Sequence, residues 1–266
     1  MKLANIQSLV AIKSYSGYLT IDEKTNSNLF FWFFPSQKTP EQDPVILWIN
    51  QAPGYSSLQG IFVETGPFHV DSESTVTPRN FSWTKSHSML YIDSPVGTGF
   101  SFTDSPEAYA NGFDEDGAEL CEALKQFFTI FKEFQDREFY LAGEDYAAVF
   151  IPSIIKTIEA ENAKGGLKIN LKGFMVGSPY MDSKQVHNAQ TLYNFGLIDK
   201  KQKAIMDGQI EKAFKMIENG QAKEGEQLAL SISYGPNSLL AKFTGFQDYS
   251  NALASKPRPE IAWRYF

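Results

Sequence analysis

The stretch Phe139 to Ile151, FYLAGEDYAAVFI, holds the residues whose types and spacing come closest to a reaction centre. Phe139-Tyr140-Leu141-Ala142 is a short apolar and aromatic run, the pattern of a buried strand. Gly143 and Glu144 turn the chain, and Asp145-Tyr146-Ala147-Ala148 open a helix. A strand, a sharp turn and a helix around G-x-S-x-G present a serine hydroxyl from which a histidine can take a proton. Here the segment reads G-E-D-Y-A, so Asp145 stands at the nucleophile position and Ala147 at the last glycine. An ionised Asp has no hydroxyl proton to give, and its charge repels a forming oxyanion.

A nucleophile also needs a base. In α/β-hydrolases, where this elbow occurs, the acid and then the histidine follow the nucleophile along the chain. Of the three histidines only His187 follows position 145, in a polar helical pattern that reads as surface. His69 and His87 precede the elbow, and His87, just before a buried strand, reads as structural. No H-E-x-x-H spacing is present, which argues against a zinc peptidase, and no metal or cofactor is expected. Asp itself is the elbow nucleophile in haloalkane dehalogenases and epoxide hydrolases, but these also need a His and its acid to activate water. Ser56, Ser57, Ser101 and Ser178 read as turn or cap hydroxyls.

The elements that must position the elbow are legible on either side of it. Tyr15 to Ile21 and Asn28 to Phe34 are β-type runs across a polar spacer, predicting an antiparallel hairpin. Val45 to Ile49 and Met89 to Asp93 are continuous apolar strands of the kind covered on both faces. Loops follow both, Asn50 to Ser57 and Ser94 to Ser101, with a short helical pattern over Ser56 to Glu64. Apolar residues recur at helical spacing from Asp114 to Phe131, with Asp114, Glu115 and Asp116 favourably placed at the helix start. The elbow helix runs to about Ala160, and a further strand spans Leu171 to Val176. This alternation predicts a doubly wound, mostly parallel α/β sheet. After Gly177, Lys184 to Phe195, Lys200 to Asn219 and Gln221 to Ser231 are polar helical patterns without an intervening strand. The expected division is a core over residues 1–180, a helical cap insertion over 181–255 and a return segment over 256–266, with the sheet unfinished.

Composition narrows the function classes. Hydrophobic residues at 42% and charged residues at 21% are globular values, and 22 Phe with 12 Tyr suit a packed aromatic core. A formal net charge of -7 argues against nucleic-acid binding, and no apolar run reaches transmembrane length. The one cysteine, Cys121, lies on a helical pattern and reads as a small buried residue. The N-terminal residues MKLANIQSLVAIKSYSGYL lack the pattern of a signal peptide. Asn80-Phe81-Ser82 is a glycosylation sequon, a triplet that also arises by chance.

Three ordered segments carry a family resemblance: Trp48 to Gly54 (WINQAPG), Tyr91 to Ser101 (YIDSPVGTGFS) and Gly143 to Ala147. They resemble the signatures of serine carboxypeptidases, most of all the vitellogenic-like branch, and Asn28 to Pro35, Phe62 to Pro67 and Trp83 to Asp93 read the same way. The resemblance runs from Tyr15 to the C-terminus and covers the first half or more of the family pattern. It implies an α/β-hydrolase fold with a helical cap, a secreted or lysosomal location, and a catalytic Asp and His from a C-terminal segment absent here. It also implies that Asn50 and Glu144 match residues that bind a substrate's terminal carboxylate, or else brace the elbow. A carboxylate held against Glu144 requires a shared proton. Asp145 adds a third acid, whose repulsion is on the order of several kcal/mol at an effective dielectric of 20.

The family's Gly-Gly-Pro-Gly is Gln51-Ala52-Pro53-Gly54 here, so Ala52 stands where an oxyanion donor is expected, the other being Tyr146. A side chain at Ala52 crowds the carbonyl that a glycine would let approach. Truncation explains a missing histidine but not Asp145 or Ala52. The sequence therefore predicts a pseudoenzyme: a carboxypeptidase-like protein without peptidase activity. It is expected to bind a peptide C-terminus, a small ligand or a partner protein in a groove under the cap. The alternatives are a carboxypeptidase seen as an incomplete or altered sequence, and a fragment completed by a second chain.

Overall fold

A computed structural model describes residues 2–3, 12–50, 54–70, 75–181 and 189–246. The chain divides into two compact units, one reaching Met181 and the other spanning Asp182–Glu260. In the first, continuous apolar runs build a sheet whose central strands are buried on both faces and whose edge strands are more open. Its strands are β2 (Tyr15–Asp22), β3 (Ser27–Phe34), β4 (Val45–Ile49), β7 (Ser88–Ile92), β8 (Phe139–Glu144) and β9 (Leu171–Gly177), in the order β2-β3-β7-β4-β8-β9. β2 pairs antiparallel with β3, and β3 antiparallel with β7. From β7 onward every pairing is parallel. A short second sheet joins β1 (Lys2–Leu3), β6 (Thr75–Pro78) and β5 (Phe68–Val70), none of which the sequence singles out as a strand.

Odd and even positions of the central strands serve different cores. Val45, Leu47, Leu90, Ile92, Phe139 and Leu141 face helices α1 (Phe113–Ile130) and α2 (Ala147–Ala163), where they meet Leu120, Leu124, Phe127, Phe128, Ile151, Ile154 and Ile158. Ile46, Trp48, Met89, Tyr91 and Ala142 face the opposite way, onto Leu58, Ile61, Phe68 and Val76. Phe33 is wholly buried, with the rings of Phe127 and Phe134 each 4.9 Å away, so the aromatic richness is spent in this core. Cys121 is buried on α1, and its thiol is pushed up to about 11 by burial.

The helical reading over Ser56 to Glu64 becomes a π-helical turn, Gly60–Glu64, in which Thr65 N–H donates to Gly60 O at 2.9 Å. The second unit contains α3 (Ala189–Asn194), α4 (Lys200–Glu218), α5 (Ala222–Ser233) and α6 (Leu239–Thr244), the last unanticipated. Asp199 and Gln202 form a capping box at the start of α4, and Ile198, Met206 and Ile232 bury a small core of their own. The expected return segment, 256–266, lies outside the described residues.

Candidate functional site

The segment Gly143 to Ala147 forms the sharp strand-to-helix turn expected of it. Asp145 sits at φ +51°, a left-handed conformation in which Asp is among the better tolerated side chains. The sequence predicts a helix opening at Asp145. Instead Asp145 makes the turn, Tyr146 (φ −68°) caps the helix, and α2 begins at Ala147. Backbone hydrogen bonds hold the turn whatever the side chain: Asp145 N–H donates to Gly177 O at 3.0 Å, and Tyr180 N–H to Asp145 O at 2.9 Å. Tyr146 stacks on Tyr180 with ring centroids 5.1 Å apart.

Close approach of α2 to the sheet explains the glycine at 143. A Cβ there would lie 2.5 Å from both the Ala147 Cβ and the Ile49 carbonyl oxygen. Ala147 can stand in place of the motif's last glycine because Gly143 leaves it room. Gly143→Ala is expected to destabilise the fold by about 3 kcal/mol through overpacking, read as a lower urea midpoint with an unchanged slope.

Glu144 ends β8 beside Asn50, because Ile49 of β4 pairs with Gly143. A further acid, Glu64, sits close to Glu144. Burial, then the charge of Glu144 and contact with its carboxyl, push Glu64 up to about 8. The Trp48 indole and the Arg79 guanidinium pull the other way. Glu64 Oε2 and Trp48 Nε1 are both buried without a hydrogen-bond partner among the described residues, so the indole acts as a nearby dipole rather than through a bond. The Asp145 carboxyl is also raised, by partial burial and by Glu144. Three acids thus converge on the elbow, with a proton held at Glu64 near neutrality. Glu64 is absent from the sequence reading, although it is the only ionisable residue in the Phe62 to Pro67 segment that carries the resemblance.

Asn50 is 4% exposed; its Nδ2 donates to Ser56 O at 2.8 Å, while Oδ1 has no partner among the described residues. It lines a cavity of about 20 Å³ together with Ser94 and Asp116, whose Oγ and Oδ1 are likewise without partners. That volume holds about one water, and these groups supply the polar contacts one requires. Burial, then the charge of Glu119, pushes Asp116 up to about 7.

The loops after β4 and β7 are tied together by Asp93, 1% exposed. Its carboxylate accepts from Ser56 Oγ at 2.7 Å, Ser57 N–H at 2.9 Å and Phe100 N–H at 2.9 Å. Ser101 Oγ donates to the Asp93 carbonyl at 2.6 Å. Gly99 (φ +56°) is required here, since a Cβ would fall 2.1 Å from Asp93 Oδ2. Ser56 and Ser101 are therefore turn hydroxyls.

Gln51, Ala52 and His187 lie outside the described residues. His69 is exposed on β5, and His87 accepts or donates at Nδ1 with Ser86 Oγ, 3.0 Å away. Among the described residues no group of three or more His, Cys, Asp or Glu could hold a metal ion, and no helix is long and apolar enough to cross a membrane.

With this geometry in view, comparison with known proteins gives a consistent answer. The serine carboxypeptidase family model matches residues 5–254. The human "Probable serine carboxypeptidase CPVL" is 41% identical over 96% of this chain and 55% of its own length. "Vitellogenic carboxypeptidase" of Aedes aegypti is 39% identical over 93% of this chain and 53% of its own. Among solved structures, the prohormone-processing carboxypeptidase Kex1(delta)p of Saccharomyces cerevisiae superposes with a TM-score of 0.72 at 24% identity, over 96% of this chain and 59% of that one. The chain spans about half the length of the curated relatives it matches. The fold is that of the α/β-hydrolase carboxypeptidases, and the chain belongs to the serine carboxypeptidase family.

Proposed function

We propose that this protein is a serine-carboxypeptidase homologue without peptidase activity, acting by binding a peptide C-terminus, a small ligand or a partner protein. The observation that carries this reading is Asp145, a carboxylate on the turn where acyl transfer needs a hydroxyl. Neither of its states can serve. Ionised, it repels the oxyanion; protonated, its hydroxyl is a poor nucleophile. Glu144 adds negative charge beside it, raising both Asp145 and Glu64. A ligand carboxylate is therefore best received at acidic pH, where the raised Glu64 and Asp145 carboxyls favour their protonated forms.

A second reading is that of a serine-type carboxypeptidase, releasing C-terminal residues from peptides, seen as an incomplete or altered sequence. What favours it is the formed elbow: the left-handed turn and its backbone bonds are present, with Asn50 beside the end of the elbow strand. The test is hydrolysis of a blocked dipeptide at pH 5 by this chain and by its Asp145→Ser variant. The expected result is no turnover by either, within error of the buffer blank. Turnover by the unmutated chain sinks the pseudoenzyme reading, whereas turnover by Asp145→Ser alone shows that one substitution silenced a complete site. A companion titration compares one peptide with a free and an amidated C-terminus; preference for the free acid at pH 5, lost at pH 8, is the expected binding signature.

A further inference from the structure

We propose that Asn80 is an N-glycan acceptor whose first sugar covers the exposed ring of Phe81. Asn80-Phe81-Ser82 is the one N-x-S/T triplet in the 266 residues with x other than proline. The structure shows how the triplet is presented. On one side, Arg79 is fixed by three bonds: its N–H to Pro67 O at 2.7 Å, Nε to Phe68 O at 3.1 Å and Nη2 to Phe62 O at 2.9 Å. On the other, Trp83 N–H donates to Thr65 O at 3.0 Å, and Ser82 Oγ to the same oxygen at 3.2 Å. Asn80 and Phe81 are the two residues left between these anchors, and they project as an exposed bend. The Asn80 side chain makes no hydrogen bond in the described structure, so its amide is not needed by the fold.

Phe81 supplies an independent observation. At 92% exposure it is the most exposed large apolar side chain among the described residues. Among the described residues no ring contact or hydrogen bond of its side chain accounts for it. The apolar face of an N-acetylhexosamine on the adjacent residue would cover such a ring, as sugars do on aromatic side chains.

The structure also fixes when transfer must occur. In the fold, Ser82 Oγ donates to Thr65 O and accepts from Thr84 N–H at 3.1 Å, and Ser82 is buried. Its hydroxyl is then unavailable for recognition by a transferase, so the sugar is added while the segment is still extended. In the step, Asn80 Nδ2 attacks the anomeric carbon of a polyprenyl-diphosphate-linked oligosaccharide. A C–N bond forms, the bond from that carbon to the phosphate oxygen breaks, the polyprenyl diphosphate leaves, and the amide proton passes to a base. The proposal rests on secretory routing, which the family typically follows, and not on the pseudoenzyme reading.

The test is expression of the full chain behind a cleavable secretion signal in a eukaryotic cell, read in the total membrane fraction so that misfolding of a variant does not hide the result. The expected outcome is one glycan's worth of retarded mobility, removed by an N-glycan-specific endoglycosidase, abolished in Asn80→Gln and kept in Ser82→Thr. Incubating the folded, unglycosylated chain with microsomes is expected to give no transfer. A lumenal chain with no endoglycosidase-sensitive shift, or a shift that persists in Asn80→Gln, overturns the proposal. Efficient modification of the folded chain overturns the timing argument.

Discussion

Raising the pH from 5 to 8 is expected to lower the melting temperature by about 10 °C, and Glu64→Gln with Asp116→Asn to remove most of that fall. Both carboxyls are held protonated by the fold, Glu64 up to about 8 and Asp116 up to about 7, each mainly through burial. In the unfolded chain both ionise near their ordinary values, about 4. Folding therefore binds protons that the unfolded state releases. The stabilisation is fully present below about pH 4 and drains away as the pH climbs through the folded values. Each unit of difference is worth about 1.4 kcal/mol, and with allowance for relaxation the two groups together lose on the order of 3–5 kcal/mol across the window. For a chain of this size a kcal/mol moves the midpoint by roughly 2–4 °C. Carboxyls displaced downward do not mask the effect: Glu161, lowered to about 2 by Lys125 and Lys164, is ionised throughout this range. Calorimetry at fixed ionic strength reads the slope directly. A midpoint that is flat or rises from pH 5 to 8 would show that neither carboxyl is held neutral.

The same two residues mark where sequence reasoning stops. The central strands are legible because burial on both faces leaves continuous apolar runs at Val45 to Ile49 and Phe139 to Ala142, and the elbow because a left-handed turn leaves few choices of residue. Glu64 is not legible, because its partners Trp48, Arg79 and Glu144 meet it only in three dimensions. Asp116 is a different case. It reads as one of three acids favouring a helix start, yet it stands four residues before Leu120, eight before Leu124 and eleven before Phe127. That spacing puts it on the apolar stripe, and it is 5% exposed whereas Asp114 is open to solvent. The periodicity that finds α1 could have singled it out. β5 and β6 were missed for want of length: three and four residues carry too little alternation to read as strands.

The elbow adds a point about what the fold requires of position 145. Among the described residues the hydrogen bonds at Asp145 are made by its backbone atoms, and Gly143 leaves the room that the close approach of α2 needs. Nucleophile identity can therefore change without loss of the turn, provided the replacement tolerates a positive φ, as Asp does. The shape of the turn and the chemistry of the side chain it presents are therefore separable at position 145.

Asp93→Ala is expected to be more damaging than any substitution at the elbow, costing on the order of 4–6 kcal/mol. Truncation leaves the Ser57 and Phe100 N–H groups and the Ser56 hydroxyl without their acceptor, at about 1–3 kcal/mol each, offset in part where water enters. Asp93→Asn is predicted to be milder, about 2–3 kcal/mol. It keeps an oxygen for Ser56 and Ser57, but turns an amide NH2 toward the Phe100 N–H, where Gly99 leaves no room to adjust. The ordering Ala worse than Asn, read from urea midpoints at a common slope, distinguishes loss of acceptors from loss of charge; equal losses would mean that charge alone matters. Because Asp93 ties the loop after β4 to the loop after β7, either variant is also expected to speed amide exchange at Ser57 and Phe100 before exchange rises in β4 itself. A loss below 1 kcal/mol in Asp93→Ala would mean that these loops hold their shape without it, and that the YIDSPVGTGFS signature is kept for something other than this junction.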